Sequence, residues 1–120
     1  MIVVATSGDN NCQYCVVAHG AILRIRAKHS LVADQVAVNH HKADITDRQR
    51  EMLDFALKVS NNSAAIGEAD FELLHRHGFS DDDIWDIAAI PGLFGFSNRL
   101  ANFASIRPNN EFYSMGRDVD

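Results

Sequence analysis

Along this chain the apolar positions recur at spacings of three and four, and no sustained alternation of apolar and polar residues occurs. That period belongs to helices packed by one face. Only Pro91 and Pro108 could break the pattern, and no Asn-Gly or Asp-Gly pair signals a hairpin. The expected fold class is therefore all-α.

Met1 to Thr6 is apolar and uncapped, and reads as the end of a helix. Ser7 to Asn11 reads as a turn in which Asn10 or Asn11 caps the next helix, about Cys12 to Lys28. A third helix is expected over about Ser30 to His40. Thr46-Asp47-Arg48-Gln49 fits a capping box and starts a fourth, carrying Met52, Leu53, Ala56, Leu57 and Val59. Asn61 to Ser63 reads as a loop. A fifth helix covers about Ala64 to His77, terminated by Gly78.

Ser80 and the aspartates after it cap and charge the start of the last helix, about Asp81 to Ala104. Its middle turns are apolar on nearly every side, with Ile84, Trp85, Ile87, Ile90, Leu93, Phe94, Phe96, Leu100 and Phe103. Such a helix is buried between neighbours, and in so short a chain some of those are expected from another subunit. Pro91 is expected to kink or break it. Residues 1–106 form one helical domain, and 107–120 read as a polar, poorly ordered tail.

Composition narrows the functional classes. A chain of 120 residues supports one modest core, and 47% hydrophobic residues exclude disorder. The balance of 11 basic and 16 acidic residues, with no basic run, argues against nucleic acid. No secretion signal is visible, and the stretch Ile84 to Phe96 is too short and too interrupted to span a membrane. Both cysteines fall in one Cys-x-x-Cys, which is not the framework of a secreted protein. The expected compartment is the reducing cytoplasm, where such a pair is catalytic or metal-binding more often than structural.

The chemistry concentrates in Cys12-Gln13-Tyr14-Cys15-Val16-Val17-Ala18-His19. Two thiols three residues apart lie close enough on a helix for a disulfide, and His19 lies one turn beyond Cys15 on the same face. One reading is two small buried residues that pack. A second is a zinc site of Cys12, Cys15 and His19 with His40 or His41, although no second Cys-x-x-Cys and no His-x-x-x-His follows. Haem attachment is excluded by Val16, because it needs His directly after the second Cys. The third reading is dithiol chemistry. Cys12 at a helix start is favoured as a thiolate, and His19 can accept the Cys15 proton directly or through a water.

The motif resembles the alkylhydroperoxidase AhpD / carboxymuconolactone decarboxylase-like family, in its peroxidase-related branch. Asn11 to Ala21, Ala65 to Phe71, Gly78 to Ile84 and Phe96 to Ala101 carry the likeness, which covers about Met1 to Pro108. The resemblance implies an all-α, homo-oligomeric antioxidant peroxidase or disulfide oxidoreductase, acting on a hydroperoxide and drawing electrons from a thiol or dithiol donor. It implies no cofactor and no metal. Cys15 is then the thiol activated through His19, and Cys12 the partner that closes the disulfide. In the family a glutamate about three turns before the first cysteine completes the relay. Its place would fall immediately before Met1, so the chain is expected to be N-terminally truncated relative to the family. Some relatives decarboxylate a lactone without cysteines, and a non-catalytic, relic helical domain is a further alternative.

Other polar residues are weaker leads. His40-His41 at a helix end favour the dipole. Glu68 and Asp70 belong to a solvated first turn, and His75 and His77 to the surface. Asn98-Arg99 lies inside an apolar helix and needs partners if buried. Tyr14 lines the thiol pocket or packs.

Overall fold

The computed structural model describes residues 1–119. Six α-helices follow in order: α1 (Ile2–Asp9), α2 (Gln13–Ala27), α3 (Val32–Asn39), α4 (Asp47–Asn62), α5 (Glu68–Arg76) and α6 (Asp81–Phe103). Short 3-10 turns occupy His40–Lys42, Ser63–Ala65 and Asn110–Tyr113, and the described residues contain no strand. The fold is all-α, as the apolar period requires.

The starts of α4 and α6 follow from local chemistry. Thr46 Oγ1 accepts the Gln49 N–H while Gln49 Oε1 accepts the Thr46 N–H. Ser80 and Asp83 make the same reciprocal pair. Each box satisfies two N–H groups that a helix start leaves without partners.

α1 is short, apolar on several sides, and threads the middle of the bundle. It packs against α2, α3, α4 and α6, burying Ile2, Val4, Ala5, Thr6 and Ser7. Its approach to α3 depends on Gly8, where a Cβ would stand 2.3 Å from the Ala37 carbonyl oxygen. Around it, Val32, Val36, Leu53, Phe55, Leu74, Ile84 and Ile87 form the core.

Several boundaries differ from expectation. α1 runs to Asp9, so the turn shrinks to Asn10–Asn11, and Asn11 takes the left-handed conformation at φ 54°. The cap of α2 is neither asparagine but Cys12 itself. α4 continues through Asn61 and Asn62, and Gly67 delays α5 to Glu68. Pro91 lies buried within α6 without ending it.

Residues 109–117, expected to be poorly ordered, lie against α2 and α3. Buried Arg24 explains this: its Nε donates to the Met115 carbonyl at 2.8 Å and Nη2 to that of Phe112 at 2.9 Å. Arg117 then forks onto the Asp34 carboxylate. Asp120 lies outside the described residues.

The last helix is only partly covered. Ile84, Ile87, Pro91, Asn98 and Ala101 face inward, whereas Trp85 (76%), Leu93 (61%), Phe96 (65%) and Phe103 (88%) remain exposed. No described helix is long and apolar enough to cross a membrane.

Candidate thiol site

The thiols sit where the α1–α2 turn meets α6. The Cys12 sulfur accepts the Cys15 N–H at 3.4 Å and so caps α2. Both cysteines are buried and unbridged, and they come within 2.9 Å of each other. Ala101 of α6 and Tyr14 close over them, so Tyr14 packs on the pair. Cys12 also borders an open groove of about 340 Å³ whose apolar wall is Val16, Val17 and Ala37.

A polar cluster stands behind Cys15. Asn98 is fully buried on α6; its Nδ2 donates to Ser7 Oγ at 3.0 Å, and its Oδ1 accepts from Asn10 Nδ2 at 3.1 Å. Asn102 Nδ2 donates to the Asn10 carbonyl at 3.1 Å and holds the same turn. Asn98 and Ser7 also hydrogen-bond the Cys15 sulfur and favour its thiolate. They are outweighed. Burial, with the hydrogen bond and charge of Cys12, pushes the Cys15 thiol up to about 11. At neutral pH Cys15 therefore carries its proton.

His19 stands half-buried one turn along α2, its ring meeting Phe94 edge-on at 5.1 Å. Burial lowers its pKa, so near neutral pH the imidazole is a free base able to accept a proton. Among the described residues no hydrogen bond joins it to either thiol.

Two solved structures share this architecture. One is described as the alkylhydroperoxidase AhpD core, an uncharacterized peroxidase-related protein from Ralstonia eutropha JMP134. It is 66% identical, with a TM-score of 0.97 over 99% of this chain and 63% of that one. The other, an uncharacterized peroxidase-related protein from Silicibacter sp. TM1040, is 44% identical, with a TM-score of 0.93 over 97% of this chain and 61% of that one. These descriptions match the AhpD-like family that the motif resembles. No family model and no curated protein matches it. The chain thus spans somewhat under two thirds of the length of either solved relative.

In this AhpD-like domain the motif residues keep their expected elements, Cys12 at the start of α2 and Cys15 and His19 within it. The zinc arrangement weighed from the sequence is not assembled. Among the described residues the one metal-sized group of three His, Cys, Asp or Glu side chains is His40, His41 and Asp54, with no cysteine in it. Both of those histidine rings, at the C-terminal end of α3, turn to Asp54.

Sequence reasoning found Asn98 only as a polar residue needing partners; Ser7 and Asn10 read as turn residues. The available signal was an asparagine on the buried side of an apolar helix, which demands a polar partner. Its partners lie 88 and 91 residues away in the chain, and no local pattern reports them.

Proposed function

We propose that this AhpD-like domain is a thiol-dependent peroxidase that cycles Cys12 and Cys15 between dithiol and disulfide. The observation that carries the reading is the pair of buried, touching, unbridged cysteines at a helix start, with amide and hydroxyl donors aimed at one sulfur. The peroxidase-related description of the two solved relatives supports it.

In the proposed cycle His19 takes the Cys15 proton through a water. The Cys15 thiolate attacks the outer oxygen of a hydroperoxide, the O–O bond breaks, and an alcohol leaves with a proton, giving Cys15 sulfenic acid. Cys12 then attacks that sulfur, and water departs as the disulfide closes. A dithiol donor reduces the disulfide by exchange at Cys12, the cysteine that borders the open groove, and is itself oxidised. The apolar wall of that groove suits an organic hydroperoxide. No bound cofactor enters the cycle, which belongs to a reducing compartment such as the cytoplasm. The exposed apolar face of α6 serves as the contact between copies in a homo-oligomer.

A non-catalytic domain is the second reading, favoured by the raised Cys15 thiol and by the lack of a His19–thiol hydrogen bond. One experiment separates them. Cumene hydroperoxide with a dithiol donor should be turned over by the wild type and not by Cys15→Ser, and thiol-blocked mass spectra should show loss of two hydrogens. Peroxide consumption equal in the two proteins would sink the peroxidase reading.

A further inference from the structure

We propose that His40, His41 and Asp54 form a binding site for a divalent transition metal, with Zn²⁺ the ion its donors suit. The inference stands apart from the thiol reading, because none of these residues touches either cysteine and metal binding is read without any turnover.

Neighbouring side chains on a 3-10 turn point about 120° apart. His40 and His41 are consecutive on such a turn, yet their rings lie 4.1 Å apart between centroids and both present Nε2 to one atom. That atom is Oδ1 of Asp54 on α4, 2.6 Å from His40 Nε2 and 2.5 Å from His41 Nε2. The Asn39 side chain accepts the His41 N–H at 3.2 Å and sets the turn that aims the rings. Three ligand atoms from two elements therefore converge, all within 4.8 Å of one another.

The donor set fits a borderline ion. Imidazole nitrogen and carboxylate oxygen bind zinc at about 2.0–2.2 Å, which places neighbouring tetrahedral ligand atoms roughly 3.3 Å apart. The rings already converge, and the carboxylate, now 2.5 and 2.6 Å from the two nitrogens, must withdraw to admit the ion. Exposure is graded across the site. The His40 side chain is 9% exposed and serves as a fixed anchor, while Asp54 at 41% and His41 at 58% leave an open side for water. His40 also borders a pocket of about 270 Å³ shared with Asp9 and Asn11, which has room for metal-bound water. Two imidazoles and one carboxylate with open positions make a binding set for zinc or its divalent neighbours rather than for calcium or magnesium.

The alternative occupant of this geometry is a proton on each Nε2, both donated to Asp54. Asp54→Asn separates the two, because the amide oxygen still accepts an N–H but no longer supplies a charged ligand. The test titrates Zn²⁺ against a chromophoric chelator, using full-length protein with both thiols blocked, and repeats the titration with Co²⁺ by absorbance. Wild type should bind one equivalent. Asp54→Asn and the surface variant His41→Ala should each weaken binding by about tenfold or more, since loss of even an outer partner of a metal ligand costs that much. Circular dichroism checks that both variants fold. The double variant Cys12→Ser, Cys15→Ser should bind as wild type does, with no sulfur-to-cobalt charge-transfer band before or after substitution. No binding by thiol-blocked protein, undiminished binding by folded Asp54→Asn, or a requirement for the cysteines would each overturn the proposal.

Discussion

Asn98 ties α1, the α1–α2 turn and the thiols together, and replacing it with leucine isolates that role. Leucine keeps the same branched arrangement of heavy atoms, so no cavity opens, although its methyl groups are bulkier than the amide and add some overpacking at this fully buried position. What disappears is the amide: the donor to Ser7 Oγ at 3.0 Å, the acceptor for Asn10 Nδ2 at 3.1 Å, and the donor to Cys15. A buried polar group left without a partner costs about 1–3 kcal/mol. Ser7 is fully buried but keeps its hydrogen bond to Cys15, and half-buried Asn10 recovers part of its loss from water. The sum is about 1–3 kcal/mol, a substantial fraction of the roughly 5–15 kcal/mol that holds a domain of this size. Thermal unfolding should fall by roughly 10 °C. The thiol reports separately. Asn98 favours the Cys15 thiolate, so its removal should move the thiolate absorbance titration to still higher pH than the wild-type midpoint near 11. Stability within about 0.5 kcal/mol of wild type, together with an unmoved titration, would refute this account of Asn98.

Three further outcomes follow from the same structure. Alkylation of Cys15, measured in Cys12→Ser by mass spectrometry, should climb with pH, and it should level off by the wild-type value of about 11 or below, because that variant removes the Cys12 charge that helps hold the proton; the climb is about tenfold per unit, and a plateau at neutral pH would show a pre-formed thiolate. Arg24→Ala removes two hydrogen bonds that hold residues 109–117 and leaves the Arg117–Asp34 pair, costing on the order of 2–4 kcal/mol, and limited proteolysis should cut that segment faster than in wild type. Phe96→Glu puts a charge on the exposed face of α6 and should yield a smaller species in light scattering; a wild-type monomer at micromolar concentration would rule out self-association through that face.

The helices were legible because their signals are local. Thr46 with Gln49, and Ser80 with Asp83, announce helix starts within four residues, and the apolar spacing announces the rest. The Cys-x-x-Cys motif was legible for the same reason, since both thiols and His19 fall within two turns of one helix. Local readings failed where a distant partner decided the outcome. The polar end of the chain looked free because Arg24, which holds it, is 88 residues from the carbonyl of Phe112. Asn10 looked like a cap, and the structure gives its side chain to Asn98.

By itself, then, the sequence determined that this protein is a small all-helical domain with a dithiol and an imidazole along one helix. Only the tertiary structure decided what surrounds those groups: that burial and Cys12 hold the Cys15 proton, that Asn98 and Ser7 oppose them, and that Asp54 draws His40 and His41 to a single oxygen. The division has a physical cause. Helix formation depends on hydrogen bonds and caps among residues three and four apart, whereas the proton affinity of a thiol and the aim of an imidazole depend on burial and on charges that arrive from other helices.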